Sequence, residues 1–277
     1  MQTEFDSIIK ASLEEDAPFG DVTTSCTIAA GTQAKGVFRA KEDGVLCGTG
    51  IAERTFELSG GGVCFTKLFN DGDEIRRGDI IAEISGDAAT ILFGERTALN
   101  LMQRASGIAT ATRAAMSAVE GMHARITDTR KTMPGLRRLD KYAVRCAGAA
   151  NHRFSLSDGI LIKDNHIAAA GGVGAAVRSA KQKAPHTLKV EVEVETLDQL
   201  REALDAGADI IMLDNMSCAL MSEAVKITNG QAVLEASGNM GERDLAEVAR
   251  TGVDLISIGA LTHSVKALDI SLKFSLI

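Results

Sequence analysis

The sequence predicts an α/β protein, an incomplete α/β barrel of six or seven strands preceded by a smaller mixed α/β domain. Two observations carry the barrel. Between residues 124 and 259 six short apolar segments recur with amphipathic helical segments between them, and strands that alternate with helices build a parallel sheet. The helical segments end in Ala-Gly or Thr-Gly and run straight into the next strand, and neither a Gly-rich dinucleotide fingerprint nor a Walker-type loop follows the first strand. A closed or nearly closed barrel therefore fits better than a doubly wound sheet. The third observation sets the smaller domain: the pattern changes near residues 90 to 105, from short strands and turns to a helical period. A chain of 277 residues has room for a barrel and a companion, which we place at 106–266 and 1–105.

The elements follow in order. "KGVFRAKEDGVLCG", "SGGGVCFTKLF" and "NDGDEIRRGDIIAEISGD" are short apolar runs broken at Asp43-Gly44, Asp71-Gly72 and Arg77-Gly78, the mark of a small β unit. The Asp-Gly spacing is shared by lipoyl-type carrier modules, but no lysine stands at a hairpin apex, and turns between solvated strands explain it as well. From Glu95 to Val119, Leu101, Met102, Ala105, Ile108, Ala109, Met116 and Val119 trace one side of a helix, with Arg104 and Arg113 among them. A further helix is expected after Pro134-Gly135. The barrel strands are "ARITDT" (124–129), "GILIKDN" (159–165), "LKVEVEVE" (188–195), "ADIIMLDN" (208–215), "AVLEASG" (232–238) and "VDLISIG" (253–259), with helices such as "LDQLREALDAG" between them.

Charge narrows the ligand. The chain is acidic, with a formal net charge of −7, yet between Arg125 and Arg153 it places Arg125, Arg130, Lys131, Arg137, Arg138, Lys141, Arg145 and Arg153 against only Asp128 and Asp140. Nucleic acid, an acidic partner and a small polyanion are the candidates. An acidic chain with 4% aromatic residues argues against nucleic acid, which selects a broad basic field and stacking platforms. The basic helix 137–145 has no i,i+4 compensation beyond Asp140, so a solvated face explains one or two of its cations and a bound anion the rest. The five cysteines show no paired short spacing, and no apolar run approaches the roughly 18 residues of a membrane helix, so a cytoplasmic protein without membrane partners is expected.

In an α/β barrel, ligands meet the carboxyl ends of the strands. Polar residues collect there: Asp128, Arg130 and Lys131 after the first strand; Lys163, Asp164, Asn165 and His166 after the second; Asp214 and Asn215 after the fourth; Ser237, Gly238 and Asn239 after the fifth; Gly259 after the sixth. In the third strand a period of two turns Val190, Val192 and Val194 to the helices and Glu191, Glu193 and Glu195 inward, where carboxylates need cationic partners. Glu191 and Glu195 read equally well as structural ion pairs, and Glu193 as either. His152 and His166 find no third imidazole or thiol at ligand spacing, which weighs against a metal held by them.

"TDTRKTMPGLR", "KYAVRCAGAANHRFSLSDGILIKDNHI", "EVEVE", "IMLDN", "LEASG" and "TGVDLISIGALTHS", with "LEEDAPFGDVTTS" and "ERTALNLMQRASGIAT" upstream, resemble the quinolinate phosphoribosyltransferase family, also called nicotinate-nucleotide pyrophosphorylases (carboxylating). The resemblance spans residues 12 to 266. A sister group associated with molybdenum transport shares part of the pattern, but the uninterrupted "NHR" and "IKDNHI" are closer to the quinolinate enzymes.

The resemblance implies phosphoribosyl transfer from 5-phosphoribosyl 1-diphosphate to quinolinate with Mg²⁺, yielding nicotinate mononucleotide, CO₂ and diphosphate. It implies quinolinate contacts by Arg130, His152, Arg153 and Lys163, with Arg104 reaching across a dimer interface. Lys131 belongs to the same pocket and reaches towards the diphosphate, and Lys163 is implied as a phosphoribosyl diphosphate contact as well. Glu193 and Asp214 stand near the ribose and the metal, as weak ligands, direct or through water. Lys163, Glu193 and Asp214 form the catalytic group. Ser237, Gly238, Asn239, Gly259 and Ala260 supply the 5′-phosphate site. It also implies a homodimer or larger homo-oligomer, and a C-terminal segment 267–277 that returns to the first domain. This chain departs from the family pattern in having Ala147, Ala149, Ala150, Ser155 and Asn239 where glycine is usual, which puts in question any left-handed backbone there.

Overall fold

A computed structural model describes residues 2–277. The chain divides into two compact units. The first holds the chain up to Arg113 together with Met133–Gly148 and Val265–Ile277, and the second holds Ala114–Thr132 and Ala149–Ser264. The sequence boundary at 105/106 divides the chain differently, because it leaves the helix Arg137–Cys146 with the barrel. That helix is tied into the first unit by polar contacts: Asp140 pairs with Arg104, and the Tyr142 hydroxyl donates to Asp71 at 2.6 Å.

The first unit contains β1 (Gln33–Ala40), β2 (Gly44–Val45), β3 (Val63–Lys67), β4 (Glu74–Ile75) and β5 (Ile80–Asp87). β1, β5 and β3 are antiparallel neighbours, and the C-terminal strand Ile270–Leu276 pairs with the outer side of β1. Alternation buries Ala34, Phe38 and Ala40 of β1 on one face. Phe38 meets Phe56 edge-on, with ring centroids 6.1 Å apart, over a core of Ile81, Ile84, Ile91, Leu99 and Met102. The long helix runs Ala88–Ala118, starting earlier than the sequence predicts. The Asp87 carboxylate explains this, accepting from Thr90 N at 2.9 Å as an N-cap does. Gly107 lets the chain pass close by, since a Cβ there would overlap the Lys266 carbonyl.

The second unit is the incomplete barrel. Its strands β6 (Arg125–Thr127), β7 (Ile160–Ile162), β8 (Val190–Val194), β9 (Ile210–Asp214), β10 (Val233–Ser237) and β11 (Leu255–Ser257) each fall inside a segment predicted as a strand. They form one parallel sheet in the order β6-β11-β10-β9-β8-β7. Ala150 bridges Thr127 in parallel on the free side of β6, a one-residue start of a seventh strand. The C-terminal strand of the first unit is then β12 (Ile270–Leu276). Val190, Val192 and Val194 are at most 1% exposed beneath the helices, each such side chain contributing roughly 1.5–3 kcal/mol. Glu191 and Glu193 take the opposite face as the period requires, while Glu195 lies just past the strand and is exposed. The helices between strands start where the sequence offers caps: Thr196 and Gln199 form a reciprocal capping box, and Asp244 accepts from Ala246 N and Glu247 N.

Candidate active site

The strand ends enclose a cavity of about 480 Å³ within the barrel unit. Its walls include Arg130, Lys131, His152, Arg153, Lys163, Glu193, Asp214, Ser237, Gly238 and Asn239, so one space collects most of the residues singled out from the sequence. Lys163 caps the helix Asp164–Ala170 from the end of β7, and its ammonium donates to Glu193 Oε2 at 2.6 Å. That ion pair couples the cationic wall to the carboxylate wall. Arg153 Nη1 donates to Gly159 O at 2.9 Å, while its Nε and that of Arg130 are buried without a partner. Burial, and then the charge of Arg130, lower the Arg153 pKa from its ordinary value. Two crowded guanidiniums in a partly dry space favour an anion.

Beneath them lies a polar cluster. Asp128, fully buried at the end of β6, accepts from His152 N at 2.7 Å and from Asn151 Nδ2 at 2.9 Å, which pins the "NHR" segment. His152 Nε2 lies 3.2 Å from Glu191 Oε2 and 3.7 Å from Glu235 Oε1. Burial, and then the Glu191 charge, push the Glu235 carboxyl up to about 7. Glu235 escaped the sequence reading even though it lies in the quoted "LEASG". The signal was there: it is the one carboxylate in an apolar strand, and it faces inward when Leu234 faces out. Thr129, Leu161, Met212, Asn215 and Ser257 also line the cavity without having been singled out as contacts.

The turn after β10 uses residues suited to its backbone. Gly238 has φ +92°, and a Cβ there would overlap the Asn215 side chain. Asn239 has φ 52° and ψ 29°, the left-handed conformation that asparagine tolerates, so it takes the part expected of glycine. Ala147, Ala149, Ala150 and Ser155 keep negative φ, and Gly148, at φ 101°, carries the turn between them. Gly259 and Ala260 lie outside the cavity lining but adjoin it: Gly259 packs against the Lys131 stem, and Thr262 Oγ donates to Lys131 O at 2.9 Å.

Arg104 belongs to the first unit, where Nε and Nη2 donate to the fully buried Asp140 carboxylate at 2.8 and 2.9 Å. Met133 N donates to the same carboxylate at 3.1 Å. The basic stretch that raised the question of a polyanion is therefore divided. Arg130, Lys131 and Arg153 line the barrel cavity, whereas Lys141 is buried in the first unit and Arg138 and Arg145 are exposed.

Among the described residues, His152, Glu191 and Glu235 bring ligand-type atoms within 4.8 Å of one another, a group that on distance alone could hold a divalent cation. His166 is not part of it, being exposed with Nδ1 accepting from Lys163 N. An imidazole with two carboxylates suits a borderline cation such as Zn²⁺. Mg²⁺ takes oxygen ligands and keeps several waters, which fits the Glu193 and Asp214 carboxylates on the cavity wall better.

A parallel barrel with cations and carboxylates facing one another at its strand ends is a protein built to hold a polyanionic ligand beside a polar reaction partner. The family description "Quinolinate phosphoribosyl transferase, N-terminal domain" matches residues 21–106, and "Quinolinate phosphoribosyl transferase, C-terminal domain" matches residues 108–273. The chain is 47% identical over 262 residues to a probable nicotinate-nucleotide pyrophosphorylase [carboxylating] of Bacillus subtilis, covering 95% of this chain and 90% of that protein. It is 48% identical over 274 residues to its counterpart in Methanocaldococcus jannaschii, covering 96% and 95%. The crystal structure of NadC from Streptococcus pyogenes matches with a TM-score of 0.94 at 43% identity, covering 100% of this chain and 98% of that one. The chain belongs to the quinolinate phosphoribosyl transferase family.

Proposed function

We propose that this cavity catalyses transfer of the phosphoribosyl group of 5-phosphoribosyl 1-diphosphate to the ring nitrogen of quinolinate, with decarboxylation, forming nicotinate mononucleotide, CO₂ and diphosphate for NAD biosynthesis. The observation that carries the reading is one cavity in which Arg130, Lys131, Arg153 and Lys163 face Glu193, Asp214 and the Ser237–Asn239 turn. Arg130, Arg153 and Lys163 take the two pyridine carboxylates, for which the guanidinium fork is shaped, while His152 lines the same cavity beside Arg153. Glu193 and Asp214 accept from the ribose hydroxyls and stabilise positive charge as it develops at C1. Main-chain N–H groups at Ser237–Gly238–Asn239 and Gly259–Ala260 take the 5′-phosphate, and Lys131 the diphosphate.

The ring nitrogen forms its bond to C1 as the bond from C1 to the diphosphate oxygen breaks. The nitrogen is then cationic and stabilises the electron pair left on C2 as CO₂ departs, after which C2 takes up a proton. The chain needs no nucleophile: its residues hold the ring, bind the anions and stabilise developing charge. Lys163, bonded to Glu193, ties the pyridine site to the ribose site. Mg²⁺, for which Glu193 and Asp214 are the wall's oxygen donors, would offset the diphosphate charge when bound.

We include in the proposal a homodimer or larger homo-oligomer in which Arg104, aimed by Asp140, completes the quinolinate site of a second copy, and a cytoplasmic location. The five free cysteines favour a reducing compartment. Release of ¹⁴CO₂ from carboxyl-labelled quinolinate, dependent on both phosphoribosyl diphosphate and Mg²⁺, tests the reaction. Quinolinate binding without release would instead describe an anion-binding protein. A fully active monomer in sedimentation at micromolar concentration would remove Arg104 from the shared site.

A further inference from the structure

Both nitrogens of the His152 ring are engaged inside the protein. Arg153 N donates to Nδ1 at 2.7 Å, so Nδ1 is an acceptor and carries no proton. The ring proton then resides on Nε2, which points at Glu191 Oε2, 3.2 Å away, with Glu235 next nearest at 3.7 Å. Glu191 is 5% exposed and its other oxygen has no hydrogen-bond partner, so His152, with the Arg153 charge nearby, is what holds a carboxylate at that depth. The same tautomer argues against a cation on Nε2, since that nitrogen's lone pair is committed to its own N–H bond.

We infer that Glu191 is a positioning residue for quinolinate recognition, acting through His152 on the main chain of Arg153. The inference rests on the proposed reaction of this cavity. The chain of contacts is short and directional. Glu191 Oε2 accepts a hydrogen bond from Nε2–H and so selects the tautomer. The freed Nδ1 accepts Arg153 N–H, while Asp128 holds His152 N from the other side and Gly159 O holds Arg153 Nη1. With the Glu191 acceptor gone, a shift of the proton to Nδ1 would set it against Arg153 N–H, and the segment carrying Arg153 would move. A guanidinium whose fork must match a planar carboxylate loses most from such a displacement.

The test is a set of full-length variants, read by the imidazole ¹⁵N spectrum of His152 and by the KM of each substrate. Wild type should show the Nε2–H tautomer. Glu191→Leu, which removes the acceptor at similar volume, should disturb that tautomer and raise the quinolinate KM about tenfold or more, leaving the phosphoribosyl diphosphate KM within about twofold. Glu191→Gln, whose amide oxygen still accepts from Nε2–H, should recover most of the loss. An asparagine side chain places an oxygen where Nδ1 lies, so adding His152→Asn to Glu191→Leu should restore quinolinate affinity without any Glu191 acceptor. An Nδ1–H tautomer in wild type, equal loss for both substrates, or further loss in the double variant would overturn the inference. The tautomer is read without turnover, so a wild-type protein that shows Nε2–H yet releases no CO₂ would refute the proposed reaction, not the positioning.

Discussion

Arg153→Lys separates geometry from charge in the cavity. Arg153 spends Nη1 on Gly159 O at 2.9 Å and keeps a buried Nε with no partner, so the planar group is anchored at one corner and can present another edge to a ligand. A lysine ammonium gathers its donors on one nitrogen, so it cannot keep the Gly159 O contact with one edge of a planar group and present another edge to a carboxylate. Burial and the neighbouring Arg130 already lower the Arg153 pKa, and an ammonium placed there would give up its proton more readily than a guanidinium. The loss is that of one charge-assisted hydrogen bond in a partly buried site, about 1–3 kcal/mol, or roughly five- to 150-fold in the quinolinate Kd. Calorimetric titration of quinolinate measures it, with phosphoribosyl diphosphate affinity and thermal midpoint as controls for folding. A quinolinate Kd within twofold of wild type would show that Arg153 does not touch the ligand.

Substrate choice should follow the cation count: nicotinate lacks the C2 carboxylate, and quinolinate should be preferred by at least about a hundredfold in kcat/KM, or roughly 2.7 kcal/mol, in a side-by-side initial-rate assay; equal rates would sink the assignment. Asp140→Ala leaves the Arg104 guanidinium, 18% exposed, without its buried partner, and should cost about 3–5 kcal/mol in chemical denaturation; a loss below about 1 kcal/mol would show the pair to be dispensable. Glu235→Gln should remove a pH dependence of stability. The folded carboxyl sits near 7, above its ordinary 4.5, so between those values the folded state holds a proton that the unfolded state has lost. The Glu235 contribution is fully present below about 4.5 and lost as pH rises through about 7. The stability of wild type relative to the variant should fall across that window, and a constant difference in thermal midpoint from pH 4.5 to 8 would refute it.

The barrel was legible because its two periods are set by backbone geometry. A valine-glutamate alternation at 190–194 can bury only one of its faces under helices, and each barrel strand falls within a segment that short apolar runs and Ala-Gly or Thr-Gly punctuation had marked. The start of the long helix was less legible, because it depends on Asp87, which serves as the last residue of β5 and as the acceptor for Thr90 N. Glu235 was hidden for a different reason. Sequence reasoning weighs clusters and spacings, whereas its partners Glu191 and His152 come from other strands and loops.

Local charge misled where chain proximity was taken for spatial proximity. The excess between Arg125 and Arg153 is continuous in sequence, but Met133–Gly148 leaves the barrel for the first unit. Asp140, apparently a lone acid diluting a basic helix, is fully buried against a guanidinium drawn from the preceding helix, Ala88–Ala118. One carboxylate among four cations therefore serves not as local i,i+4 compensation but as a tether for Arg104. The same logic applies to His152: the resemblance makes it a quinolinate contact, yet its two nitrogens face Glu191 and a main-chain N–H. A histidine's neighbours in space, through the tautomer they select, decide whether it meets a ligand or holds the residue that does.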